Sequence, residues 1–323
     1  MEKKTKLIVI LGPTAVGKTK LAVKLASCFN GEIVSADSRQ VYRGMDIGTG
    51  KDLEEYEIGI KKNAQKGSTG LKPQWSRRFK IPYHLIDVVS PNTKFSLAKY
   101  QKLAYKAIDD IIKRGKTPFL VGGTGLYIQS IVEGTPLLNE AKPNLKLRKI
   151  LDSWSNEKIL KELKKLDPKL DEKIIQNNKR RMIRYIEIMN SCKRPITKLR
   201  EEQKKEGKYR CLLLGIKSTK DSVNTKIDQR IDIRLEKEGM VEEVKRLHKE
   251  AVSMKRLEAF GLEYKFISQY LQGKLKYDKM VNLLKIASHQ FAKRQITWFK
   301  RDKNIKWISE YAQAYELSKK FLK

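Results

Sequence analysis

The chain has 323 residues, of which 70 are Lys or Arg and 37 are Asp or Glu, giving a formal net charge of +33. That length holds one large α/β domain with an insertion, or two domains, and the charge exceeds what solubility needs, so it points to a polyanionic partner even after allowing for a lysine-rich proteome. Three widely spaced cysteines (Cys28, Cys192 and Cys211) argue against a disulfide framework or a zinc site, and no apolar run approaches the ~20 residues of a membrane span.

Met1–Lys4 leads directly into an apolar β-branched run, Leu7–Leu11, so no signal sequence is expected, and the protein is read as cytoplasmic with packed thiols and no membrane partner. After that strand comes Gly12-Pro13-Thr14-Ala15-Val16-Gly17-Lys18-Thr19, followed by a helix-compatible stretch. Strand, glycine turn and helix start make a P-loop. Its backbone N–H groups and helix dipole favour an anion, Lys18 adds a point charge, and the Thr19 hydroxyl can ligate Mg²⁺. The loop predicts a grip on a diphosphate or polyphosphate without saying which bond breaks.

The first helix should end near Asn30-Gly31, and Glu32–Ala36 reads as a second buried strand carrying Asp37-Ser38-Arg39-Gln40 at its C-terminal end. In a doubly wound sheet such ends face the ligand crevice, which favours a functional Asp37 over a mere helix cap. Tyr42–Gly50 is glycine-rich and aperiodic, hence a loop over the site, and residues 51–80 read as a surface insertion with turn formers and charge at 61–70. Tyr83–Val89 resumes strand character, and Ser96–Arg114 predicts an amphipathic helix. His84 is read as a satisfied hydrogen-bonding residue.

The strand Lys116–Val121 ends in Gly122-Gly123-Thr124-Gly125, not in the acid that a phosphate-hydrolysing P-loop enzyme uses to organise Mg²⁺ and water. Small residues there would let a large group approach the backbone. Asp37 and Asp87 are then the strand-linked acids near the crevice.

After Gly134-Thr135-Pro136 helices are expected over 144–154 and 155–166, then a long one from Asn177-Asn178, with Arg180, Arg181 and Arg184 on its first turns beside a Met182/Ile186/Met189 stripe. The arginines are read as phosphate contacts, while the run Lys193, Arg194, Lys198, Arg200, Lys204 and Lys205 is largely a solvated face. Cys211–Ile216 returns to the sheet. The fold expected is therefore α/β: a P-loop NTPase-like parallel sheet flanked by helices, formed by 1–139 and 206–323, with a mainly helical insertion domain at 140–205.

Arg230 and Arg234 share one helix face and could reach a diphosphate from opposite the P-loop. The last helices are expected at 241–250, 262–272 and 277–300. The final one carries Lys293-Arg294-Gln295 and Trp298, a charged surface with an aromatic that can stack or belong to the core.

These segments together resemble the tRNA dimethylallyltransferase (tRNA isopentenyltransferase) family. The likeness rests on 12–19, Asp37–Thr49, His84–Asp87, Gly122–Tyr127, Arg180–Arg184 and Ala292–Phe299 in that order. It implies transfer of a dimethylallyl group from dimethylallyl diphosphate to the N6 amine of the adenine 3′ to the anticodon, with diphosphate leaving into Gly12–Thr19 and Mg²⁺. By the same resemblance Asp37 is the general base, with Lys18, Thr19, Arg230 and Arg234 at the diphosphate. Ser38, Arg39, Gln40 and Thr124 would hold the extruded adenine, and Arg148, Arg180, Arg181, Arg184, Lys293, Arg294, Gln295 and Trp298 the anticodon arm.

A monomer of bacterial type is implied, lacking the C-terminal Cys/His finger of eukaryotic members. Residues 51–80 exceed the usual segment, Tyr83 replaces a common His, and Gly261-Leu262-Glu263-Tyr264 replaces Gly-Tyr-Lys-Glu. All three departures are expected to lie outside the diphosphate site. Two other readings remain: the same transfer to a free adenine nucleotide, against which the basic helices speak, and a P-loop kinase or NTPase, against which the missing acid speaks. A basic RNA-binding scaffold with a merely structural anion loop is a third, opposed by the placement of Asp37.

Overall fold

The computed structural model describes residues 4–61, 75–134, 144–171, 178–202 and 207–323. Most of the 61–70 stretch, Thr135-Pro136, Asn177 and Lys204-Lys205 lie outside these residues.

Six strands form one parallel sheet: β1 (Lys6–Leu11), β2 (Gly31–Ser35), β5 (Tyr83–His84), β6 (Thr117–Gly122), β7 (Arg210–Ile216) and β8 (Lys306–Ile308). Their order is β5-β2-β6-β1-β7-β8, with Leu11 opposite Gly122 on one side and Gly215 on the other. The central strands are continuous apolar runs because helices cover both faces, which is the pattern a buried parallel sheet requires. The register brings the C-terminal ends of β1, β2 and β6 side by side, so Gly12, Asp37 and Gly123 emerge on one edge.

Two helices stand close to the expected limits: α1 (Lys18–Cys28), after which Asn30 takes φ +46, and α2 (Leu97–Lys113), capped by Ser96 accepting from Lys99 N–H at 3.3 Å. The 51–80 segment is more ordered at its flanks than its composition suggests. Lys51 and Tyr56 are buried, and β3 (Glu57–Lys61) pairs antiparallel with β4 (Trp75–Lys80). The expected strand Tyr83–Val89 stops after two residues, since Leu85 and Asp87 have φ of +64 and +56 and cannot continue a ladder.

One compact unit comprises Met1–Ile128 and Tyr209–Lys323, the other Gln129–Lys208. In the second, α4 (Leu145–Asp152), α5 (Asn156–Leu166), α6 (Lys179–Cys192) and α7 (Ile196–Glu202) bury a core that includes Met182, Ile186 and Met189. In the first, α8 (Lys220–Glu236), α9 (Met240–Lys249), α10 (Met254–Phe260), α11 (Leu262–Leu271) and α12 (Tyr277–Phe299) enclose a separate apolar cluster, against which Ala15 and Val16 of the P-loop pack. Helix α10, strand β8 and α13 (Tyr311–Leu322) carry no strong sequence signal. Cys28 is exposed beside the Tyr311 hydroxyl, contrary to the expectation of three packed thiols.

Among the described residues no helix is long and apolar enough to cross a membrane.

Candidate active site

Between β1 and α1 the backbone turns through Gly12 (φ +152), Ala15 (φ +64) and Gly17 (φ +80), curling the loop so that α1 begins at Lys18. Lys18 Nζ donates to Pro13 O at 2.6 Å. Burial pushes its ammonium down to about 8; Asp37 opposes that shift and Arg230 adds to it.

Helix α8 faces the loop, and Arg230 Nη2 donates to Thr14 Oγ1 at 2.6 Å. Its Nε is buried without a hydrogen-bond partner among the described residues, a donor left over for a ligand. Burial, then the neighbouring Arg234, lowers the Arg230 pKa, although a guanidinium stays charged. Arg234 is placed differently from the paired reach its spacing suggests. It is buried and donates from Nη2 to Asp52 Oδ1 at 2.9 Å and Oδ2 at 3.1 Å, so its charge is paired with a half-exposed carboxylate.

Asp37 follows β2, and its Oδ1 accepts from Arg39 N–H at 2.8 Å and Gln40 N–H at 3.4 Å, an Asx turn that aims the carboxylate and leaves Oδ2 outside these bonds. Thr124 Oγ1 accepts from Ser38 N–H at 3.1 Å, tying the end of β6 to that turn. Arg39 lies 5.4 Å over the Phe260 ring, its pKa lowered by burial against the pull of Asp37.

Two cavities meet here. The first, about 440 Å³, is walled by Thr14–Lys20 with Gln40, Asp52 and Glu55. The second, about 430 Å³, is walled by Ser38, Arg39, Thr124, Glu263, Phe291 and Arg294. Thr14, Lys18, Asp37, Thr49 and Arg230 border both. A ligand with an anionic end in the first can therefore meet a planar group from the second at the Asp37 carboxylate.

Several expectations change. Gln295 is a strut and no surface contact: it is buried, its Oε1 accepts from Thr14 N–H at 2.9 Å, and its Nε2 donates to Gly123 O at 2.8 Å. Trp298 lies against the start of α3 (Gly125–Val132), where a Cβ on Gly125 would meet the indole at 2.3 Å, so it is packing. Lys293 and Arg294 remain exposed on the same helix.

Gln40 lines the first cavity, where its Nε2 donates to Gly50 O at 2.9 Å and its Oε1 accepts from Ser35 Oγ at 3.0 Å. Asp87 is paired with Lys51 and borders neither cavity. Arg148 forms a fork with buried Glu187, both bonds 2.7 Å, and Arg184 reaches the same carboxylate at 3.2 Å. Those two guanidiniums support the unit's core, while Arg180 and Arg181 are exposed. Arg194 pairs with Glu202, and Arg200 lies over Tyr185.

The 51–80 segment, expected outside the diphosphate site, brings Asp52, Glu55 and Tyr56 to the first cavity, while Glu263 of the 261–264 departure lines the second. Burial raises its carboxyl pKa against the pull of Arg230, Arg234 and Arg39. His84 Nε2 donates to the Glu32 carboxylate at 2.8 Å, as a satisfied residue should.

Among the described residues no group of three or more His, Cys, Asp or Glu side chains could hold a metal ion. Mg²⁺ bound chiefly by phosphate oxygens and water needs only one or two protein oxygens. Thr19, on the first cavity, supplies one, so the residues fit that ion.

Comparison with known proteins gives one consistent result. The isopentenyl transferase family matches residues 5–62 and the IPP transferase family residues 69–302. The tRNA dimethylallyltransferase of Acetivibrio thermocellus is 39% identical, with 94% of this chain and 91% of that protein covered. The tRNA dimethylallyltransferase 1 of Syntrophus aciditrophicus is 40% identical over 98% and 97%. Among solved structures, the full-length tRNA isopentenylpyrophosphate transferase of Bacillus halodurans is 33% identical, covering 99% and 96%, with a TM-score of 0.67. A eukaryotic dimethylallyltransferase acting on tRNA is 28% identical, covering 96% of this chain and 75% of that one, at 0.75.

Proposed function

The chain belongs to the tRNA dimethylallyltransferase family, and from that footing we propose how its residues carry out the transfer and on what. The enzyme is a prenyltransferase acting on tRNA. The donor is dimethylallyl diphosphate, with its diphosphate in the first cavity, and the acceptor is the N6 amine of the adenine 3′ to the anticodon, inserted through the second. The observation that carries this reading is the shared border of the cavities, where the anion loop, Arg230 and Asp37 meet.

The N6 lone pair attacks the allylic carbon, a C–N bond forms as the C–O bond to diphosphate breaks, and the bonding pair leaves with the diphosphate. Lys18, Arg230 and the loop N–H groups meet that departing charge. Asp37 takes the proton that N6 loses; its Asx turn holds the carboxylate at the border without consuming Oδ2. Mg²⁺, when bound through Thr19, neutralises phosphate charge. Arg234 acts behind Arg230, fixed by Asp52. Arg180, Arg181, Lys293 and Arg294 grip the anticodon stem-loop through its phosphates. The protein is a cytoplasmic monomer.

Incubation with dimethylallyl diphosphate, Mg²⁺ and either an anticodon stem-loop or AMP, followed by mass spectrometry, tests the proposal. A prenyl mass gain on RNA is expected. A gain on AMP alone would move the acceptor to free nucleotide, and ATP turnover without prenyl transfer would replace the reaction altogether.

A further inference from the structure

Helix α9 carries a carboxylate that the reaction does not touch. Glu243 is 4% exposed, and its oxygens collect four neutral donors. Oε2 accepts from Asp46 N–H at 2.8 Å and Ile47 N–H at 2.7 Å, and Oε1 accepts from Gly48 N–H at 3.1 Å and Tyr264 Oη at 2.7 Å. Three consecutive backbone N–H groups aimed at one point form an anion nest, and here the anion comes from the protein itself. Taking a carboxylate out of water is costly unless it is fully hydrogen-bonded, so the residue must hold something in place.

What it holds is the base of the 46–52 loop. From that base Thr49 Oγ1 donates back to Met45 O at 2.5 Å, and Gly50 N–H to Ile47 O at 3.1 Å. Beyond it the chain meets the reaction site: Thr49 borders both cavities, Gly50 O receives Gln40 Nε2, and Asp52 fixes Arg234. The loop can sit this close because residue 48 is glycine, where a Cβ would lie 2.8 Å from the Tyr264 ring.

Building on the function proposed above, we propose that Glu243 is a positioning residue for the diphosphate site: by seating Asp46–Gly48 it places Thr49, Gly50 and Asp52 as the wall facing the anion loop. Tyr264 is part of this device. It stands within the Gly261–Tyr264 segment that departs from the family pattern, and it supplies the fourth donor.

The test uses the full-length variants Glu243→Gln and Tyr264→Phe. Glutamine keeps the shape but turns an N–H₂ group toward at least one N–H of the nest; phenylalanine removes a single donor and leaves the ring. Calorimetric titration with inorganic diphosphate and Mg²⁺ should show Kd rising about tenfold for Glu243→Gln and about two- to threefold for Tyr264→Phe. The KM for dimethylallyl diphosphate should rise in parallel, with kcat and RNA affinity within about twofold. A residue that merely braces the fold would lower melting temperature and active fraction but leave Kd and KM unchanged, and that outcome overturns the inference. If Glu243→Gln does not fold, Tyr264→Phe decides alone, wild-type affinity counting against. Failure of the unaltered protein to bind diphosphate would strike the proposed function itself, a result separable from equal binding by protein and variants.

Discussion

Gln295 Oε1 accepts the backbone N–H of Thr14 at 2.9 Å, joining residues 281 positions apart. The same amide donates to Gly123 O, so one side chain of α12 ties the anion loop to the end of β6. Arg294 and Lys293, one and two residues earlier, are solvent-facing, so a single helical turn separates structural support from exposed charge.

Gln295→Ala should accordingly leave the Thr14 N–H and the Gly123 carbonyl without these partners, costing about 1–3 kcal/mol of stability and weakening diphosphate binding. Lys293→Ala should leave both unchanged. Thermal unfolding with diphosphate calorimetry checks the pair; equal behaviour of the two variants would deny the strut.

Asp37→Asn retains an Oδ1 that can accept from Arg39 N–H, so the turn survives while the proton acceptor is lost. Single-turnover prenyl transfer should fall by about 10²- to 10⁴-fold, with RNA affinity nearly intact. Near-normal turnover would show that another group takes the proton.

Lys18 gives a pH dependence of definite sign. Its pKa is lowered from 10.5 to about 8, so the ammonium is present below that value and lost above it. Between about 8 and 10.5 the folded protein binds fewer protons at this group than the unfolded chain, so its contribution to stability rises with pH in that window. Anion binding runs the other way: diphosphate affinity should drop about tenfold from pH 7 to pH 9. Lys18→Arg stays charged throughout, and its profile isolates the titration of diphosphate itself. Identical profiles for the two proteins would exclude Lys18 as the titrating group.

On helices α4 and α6 the arginines should divide by role. Neutralising Arg180 and Arg181 together should reduce the salt slope of stem-loop binding by about 1–2. Arg148→Ala removes the fork on buried Glu187 and should cost about 1–3 kcal/mol of stability. An unchanged salt slope in the first variant, or an unchanged melting temperature in the second, would refute the corresponding assignment.

The P-loop, the order of apolar strands and the placement of Asp37 were readable from sequence because each follows from local chemistry: turn glycines, β-branched runs, an acid directly after a strand. The family resemblance rested on the same contiguous segments. Partnership was hidden. Nothing near Gln295 announces that it will meet Thr14, and nothing near Arg234 announces that Asp52 of a distant loop will take its guanidinium while Arg230 reaches Thr14. The family resemblance assigned Arg148 and Arg184 to RNA, whereas tertiary packing pairs both with a buried Glu187. Glu243 offered no signal, since its four donors come from two other segments. The sequence by itself determined the sheet, the anion loop and the carboxylate beside it, all set by neighbours in the chain. Which polar side chains remain free for substrate was decided only by the tertiary structure, because a buried donor or acceptor takes whatever partner the fold brings within about 3 Å.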